Sequence, residues 1–246
     1  AISMKLYYGP NSFTILKKEG LELDKLVFLG KNIIGWINRF AIIPIFNWLN
    51  HFISNFGLII LILTIIIKVV LFPLTFKSYQ SQAKMQVLKP MVEELGKKFP
   101  KKEDAMKKQQ STMDLYKRAG VNPMGGCLPM VLQMPILFAM FRFFPVSIEL
   151  RQEHFLWATD LSTYDSILTL PFTIPMYGNH VSLFTLLMTA STLLTMKMTG
   201  SSPGSDQPGM KLMMYMMPVM FMVILNNFSS GLTYYYFLAN MLTYAQ

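Results

Sequence analysis

The chain has 246 residues, 52% of them hydrophobic and 14% charged, with a mean hydropathy of +0.38, which is more apolar than a soluble core of this size requires. Its net charge of +9, from 22 basic and 13 acidic residues, fits nucleic acid or an anionic membrane surface until the charge is located along the chain. Cys127 is the single cysteine, which excludes an intrachain disulfide. The 21 methionines suit surfaces that repack against varied apolar partners.

Residues 1–30, punctuated by Gly9, Pro10, Gly20 and Gly30, predict a short water-exposed lead on the outer side of a membrane. Residues 31–53 put Ile33, Trp36, Ile37, Phe40, Ile45, Trp48 and Phe52 on roughly one helical face. That is the pattern of an amphipathic helix lying in the interface, with a kink expected at Pro44. The run FGLIILILTIIIKVVLF at 56–72 is long enough to cross a hydrocarbon core at 1.5 Å per residue, and it predicts a first span over about 56–73.

Residues 77–121 change character, with eleven Lys or Arg against five acids. Met85, Leu88, Val92, Leu95 and Phe99 fall at helical spacing before Pro100, and a second helical stretch follows over 103–119. Together they predict a charged two-helix hairpin outside the membrane. A second span is expected over 127–146, made irregular by Pro129, Pro135 and Pro145. Residues 147–179 predict a loop with four acids against one base, whose apolar tail LTLPFTIP dips back onto the membrane surface. Further spans are expected at 180–196, 211–227 and 231–245, with a Gly/Pro/Ser-rich link over 200–209.

The predicted fold class is therefore an all-α integral membrane protein. It has five transmembrane helices over 54–246, a helical hairpin and an N-terminal interfacial helix. The hairpin carries half of the basic residues, so the positive-inside rule places it in the cytoplasm, with the start of the chain outside and the C-terminus inside.

Lys68 lies twelve residues into the first span. A lysine at such depth costs roughly 2.5 to 3.5 kcal/mol, so it should face water, a partner charge or a protein interior. Snorkelling to the headgroups is the alternative. Gly57, Thr64, Lys68 and Thr75 recur on one stripe of that helix. The last span repeats the pattern with Thr233, Tyr236, Asn240 and Thr243, and the second span offers Gln133. These residues predict a polar cavity shared by three helices, or else plain interhelical hydrogen bonds. The spans contain no Asp or Glu to neutralise Lys68, so an unpaired cation in that cavity would suit an incoming acidic group.

His51, His154 and His180 are scattered without ligand spacing, so no metal and no other cofactor is expected. A Walker motif and paired carboxylates within the spans are absent from the sequence, and no enzymatic chemistry is expected. The lysines of the hairpin alternate with acids and lack stacking aromatics, which argues against a nucleic-acid site.

Residues 117–136, KRAGVNPMGGCLPMVLQMPI, closely resemble the hallmark of the YidC/Oxa/Alb family of membrane protein insertases. IIIKVVLFPLTFKSYQSQAKMQVLKP at 65–90, FLWATDLS at 155–162 and GLTYYYFLAN at 231–240 are similar to further segments of that family. The resemblance implies a five-helix core around a groove open to the cytoplasm and to lipid. A cation there draws in the hydrophilic flank of a substrate without covalent chemistry or nucleotide. It implies that Lys68 is the groove cation and Gln133 the groove glutamine, with Tyr235 and Tyr236 in the final-helix region of substrate contact.

By the same resemblance the hairpin is a cap that recruits substrates, and Lys84, Met85, Leu88, Pro90 and Tyr116 are its candidate residues. Implied partners are nascent membrane proteins and lipid, with the Sec translocon and ribosome beyond them. The implied setting is the bacterial inner membrane and the implied unit a monomer. The family's cation is usually Arg, and Lys lacks its bidentate fork. YYGP at 7–10 resembles the end of the outer domain carried by Gram-negative members, so a longer parent chain is expected. An anion-conducting channel or transporter is the competing reading, and it should show inverted repeats, which the sequence lacks.

Overall fold

The computed structural model describes residues 7–19, 22–98, 105–121, 128–199 and 208–245. The motif core at 122–127, including Cys127, lies outside the described residues, as do the expected break at Pro100 and most of the link at 200–209. Helix α1 (Phe13–Glu19) and a 3-10 turn, Leu23–Leu26, open the chain. Leu16, Val27 and Leu29 are buried in the same apolar cluster as the later helices, so the lead packs onto the core.

Helix α2 (Asn32–Ile37) passes through a π-helical turn, Asn38–Ile42, into α3 (Ile43–Phe52). The break expected at Pro44 takes the form of this wide turn just before it, where the missing proline N–H is most easily absorbed. Asn38, fully buried, pins the turn by donating to the carbonyls of Leu29 at 2.7 Å and Ala139 at 3.0 Å. One face, with Ile42, Phe46 and Leu49, is buried, while Trp36, Phe40, Trp48 and Phe52 on the other are at least 60% exposed.

Helix α4 (Phe56–Lys98) runs unbroken for 43 residues, through Pro73 and Pro90. The first arm of the expected hairpin is thus the prolongation of the first span, about 65 Å of continuous helix at 1.5 Å per residue. Beside Pro73 the Thr75 hydroxyl bonds back to the carbonyls of Leu71 and Phe72, supporting the backbone where the ladder is interrupted. Helix α5 (Ala105–Arg118) packs against α4 with Thr112 and Tyr116 buried. Helix α6 (Leu128–Val146) contains Pro135 and Pro145.

The segment expected as a loop instead carries an antiparallel hairpin of β1 (Leu168–Ile174) and β2 (Gly178–Val181), with Leu168 opposite Val181 and Thr169 opposite His180. The chain is therefore mostly helical and not all-α. Leu168, Leu170, Phe172 and Ile174 alternate with Thr169, Pro171 and Thr173, a period-2 pattern that a helix cannot present on one face. Helix α7 (Leu183–Thr199) consequently starts at Leu183 and not at residue 180.

Helices α8 (Pro208–Leu225) and α9 (Ser230–Ala245) complete the fold. Helix α9 is central and touches α4, α6 and α7, whereas α8 packs on α7 and exposes Tyr215, Met216 and Met220. Gly57 is covered by the Phe155 ring, which any Cβ there would strike. That glycine, expected within the polar stripe, serves close packing. Among the described residues, α4 is the one helix long and apolar enough to cross a membrane by itself, and the apolar stretches Val131–Val146, Leu183–Lys197 and Tyr215–Leu225 are shorter.

Candidate functional site

Three helices bring polar groups together around Lys68. Its half-buried ammonium donates to Thr243 Oγ1 on α9 at 2.8 Å and reaches Gln133 Oε1 on α6 at 3.5 Å. Gln133 in turn donates from Nε2 to the Tyr235 hydroxyl at 3.2 Å. Thr243 hands its own proton to the Ala239 carbonyl at 2.7 Å, leaving the hydroxyl oxygen as the acceptor that Lys68 uses. Among the described residues Lys68 meets no carboxylate. An ammonium has three donors, and two neutral oxygens do not exhaust them.

Tyr79, absent from the sequence-based candidates, joins this cluster through a hydrogen bond with Thr243. Burial pushes its phenol above the ordinary value, and that hydrogen bond opposes the shift. Its position was legible in principle. Eleven residues separate it from Lys68, which returns a helix to within roughly 20° of the same face.

Not every expected residue gathers here. The buried Thr64 hydroxyl bonds to the Ile60 carbonyl at 2.6 Å in its own helix, and Thr75 does the same around Pro73. Tyr236 sets its ring edge-on to Tyr235 with 6.2 Å between centroids. Asn240 faces the other way. Its amide donates to Thr192 at 2.7 Å and Ser191 at 3.2 Å, tying α9 to α7. Lys84 and Pro90 are exposed, Met85 and Leu88 half-buried and Tyr116 buried along the α4–α5 pair, beyond the cluster.

The opposite end of the helices is closed by a different network. Asp165, 2% exposed, accepts from Trp157 Nε1 at 2.9 Å, from the Ser182 hydroxyl, and from the backbone N–H groups of Leu183 at 2.8 Å and Phe184 at 3.1 Å. It therefore caps the start of α7, where a negative charge meets unpaired amides. Trp157 lies 4.4 Å from the Phe184 ring, which leans on Tyr234. Asn226 accepts from Ser182 N and donates to the carbonyls of Tyr177 and His180, fastening the β-hairpin to the α8–α9 turn. Burial works against ionisation of Asp160, but donors from Ser162 and Gln152 and the Arg151 charge outweigh it and hold the carboxyl below its usual range.

A mostly helical, strongly apolar chain with a helix long and apolar enough to cross a membrane, and a cation held in a polar interhelical cluster, has the features of a helical membrane protein. It belongs to the family described as 60Kd inner membrane protein, whose model matches residues 48–246. The chain is 52% identical over 261 residues to the membrane protein insertase YidC of Parabacteroides distasonis, and 50% identical over 244 residues to that of Amoebophilus asiaticus. These alignments cover 100% and 99% of this chain but 41% and 40% of the relatives, so it spans about two fifths of their length.

The crystal structure of an active YidC insertase with its first transmembrane domain resolved is similar at a TM-score of 0.62 and 27% identity, over 96% of this chain and 53% of that one. The family resemblance carried by residues 65–90 and 117–136 thus holds.

Proposed function

We propose that the chain is the helical core of a membrane protein insertase in which Lys68 receives the hydrophilic, acidic flank of a substrate. The substrate's apolar helix meanwhile moves along the adjacent lipid-facing surface. The observation that carries this reading is the geometry of Lys68, a cation placed among neutral partners with donor capacity to spare. Gln133, Thr243, Tyr235 and Tyr79 form its polar surroundings, Tyr236 packs edge-on against Tyr235, Thr64 and Thr75 line the same helix, and Asn240 holds the wall behind them.

At 4 Å and an effective dielectric near 20, attraction between the ammonium and a carboxylate amounts to about 4 kcal/mol. The desolvation penalty of a partly buried pair is of the same order. The two nearly cancel, so the flank is held briefly and released, as an insertase requires. Net drive comes from burying the substrate's apolar surface in lipid, roughly 25 cal/mol per Å².

In this reading α4 up to about residue 73 and α6 to α9 are the five spans, with the α4–α5 pair and the C-terminus in the cytoplasm and the Asp165 end outside. The setting is the bacterial inner membrane, and the partners are nascent membrane proteins, lipid, the Sec translocon and the ribosome. No covalent or nucleotide chemistry is assigned.

Insertion of an acidic-tailed single-span substrate into proteoliposomes tests the reading. Lys68→Ala should slow insertion and Lys68→Glu should slow it further, while Lys68→Arg retains it. Equal insertion by all four proteins overturns the electrostatic role, and Lys68-dependent anion flux through substrate-free vesicles would favour a channel.

A further inference from the structure

We propose that a second site, remote from Lys68, binds the headgroup of an anionic phospholipid. Between the turn that precedes α2 and the last turns of α6 lies a groove of about 760 Å³ lined by Lys31 and Arg142 together with Phe28, Phe138, Phe141 and Phe228. This volume is within the range of small-ligand sites. No acidic residue lines it, and neither cation has a carboxylate partner among the described residues. Glu149, the acid nearest Arg142 in the chain, is turned into a separate small cavity, where the hydroxyls of Ser12 and Ser147 donate to it.

The groove is built in two chemical halves. The Arg142 guanidinium lies 5.1 Å over the Phe28 ring, a cation–π contact that orients the planar fork while leaving its edge free. Such a fork matches two oxygens of a phosphodiester, and Lys31 adds a second point charge to the same groove. The remaining walls are mostly apolar, with Phe138, Phe141 and Phe228 beside Ile34, Pro145 and Val146, and Phe138 is 50% exposed. A small soluble anion would have no use for aromatic walls, whereas a phospholipid places its phosphate on the cations and its acyl chains along the rings.

Two cations without an acid also discriminate among lipids. A zwitterionic headgroup brings an ammonium that they repel, and a net-anionic headgroup does not. Continuity fixes the source as the bilayer. The groove borders α2, and the exposed Trp36, Phe40 and Trp48 of the α2–α3 helix have the composition of a membrane-interface belt.

The proposal rests on the chain being membrane-embedded, which resistance to carbonate extraction checks separately, and not on the role of Lys68. The test uses the full chain in nanodiscs of phosphatidylcholine with a minor fraction of phosphatidylglycerol, followed by native mass spectrometry of retained lipid. Wild type and Lys68→Ala should both retain phosphatidylglycerol over phosphatidylcholine. Lys31→Ala/Arg142→Ala should lose that preference by roughly thirtyfold, while Lys31→Arg keeps it.

If the double variant fails to fold, Arg142→Gln alone carries the test, and it should lose part of the preference with an unchanged unfolding temperature in phosphatidylcholine. Equal retention of the two lipids by wild type, or undiminished preference in the cation variants, overturns the proposal. Displacement of phosphatidylglycerol by millimolar inorganic phosphate overturns it as well, in favour of a site for a soluble anion.

Discussion

At the Asp165 end of the helices, a buried carboxylate receives four donors, and an asparagine, a serine and a stack of aromatic rings fill the space around it. At the Lys68 end, a half-buried ammonium meets two neutral oxygens and no anion among the described residues. Both groups sit where water is scarce, yet one is saturated and the other is not. A saturated buried charge resists replacement of its partners, since every donor set free would be stranded. An under-coordinated one gains from a new partner. On the proposed function, the contrast is that between a seal and a receptor within one bundle.

The sharpest way to break that comparison is to remove each charge in turn. Asp165→Ala strands four donors and uncaps α7, and a loss of about 3 to 5 kcal/mol is expected in denaturant unfolding of the detergent-solubilised protein. Lys68→Ala should change stability by under about 1 kcal/mol, or raise it, because it relieves a partly desolvated charge. Comparable losses at both sites would mean that Lys68 is a structural ion.

Next in size is the contrast between two neighbours on α9. Asn240→Leu removes the tie to α7, for which about 0.6 to 1.7 kcal/mol of stability is expected with insertion activity retained. Thr243→Val should do the reverse, lowering insertion with little change in the unfolding midpoint, since it takes away an oxygen partner of Lys68. If the two variants lost stability and activity in the same proportion, the two faces of α9 would not be functionally distinct.

The smallest effect concerns Asp160. Its carboxyl is held below the usual range, so its contribution is present above the unfolded-state value near 4 and is lost as pH falls through the lower folded-state value. In acid titrations followed by tryptophan fluorescence, Asp160→Asn should show a shallower loss of stability below about pH 4 than wild type. An identical acid limb would remove Asp160 from the seal.

Much of the helical scaffold was legible because it rests on composition and local periodicity. The run at 56–72 can only be buried or in lipid, and the exposed stripe of Trp36, Phe40 and Trp48 is visible in the spacing alone. Two local readings failed for identifiable reasons. The change from apolar to charged residues near 77 separates span from hairpin in the sequence, whereas α4 runs through both as one helix, across Pro73 and Pro90, with Thr75 bonding back beside the first. The prolines in LTLPFTIP mask its period-2 alternation, so a hairpin that Asn226 fastens from the α8–α9 turn reads as a loop.

Of the candidate site, the sequence alone determined the cation, the absence of an acid in the spans to quench it, and the glutamine and threonine types able to sit beside it. Those facts follow from the cost of placing a charge in an apolar helix, which depends on neither neighbour nor register. Only the tertiary structure decided which polar residues meet. Asn240 and Thr243 lie one turn apart on α9, but α9 is enclosed on several sides, so one serves α7 and the other Lys68. Periodicity assigns a residue to a face of its own helix. What stands opposite that face is set by packing between segments distant in the chain, and so is whether a buried charge ends up sealed or open.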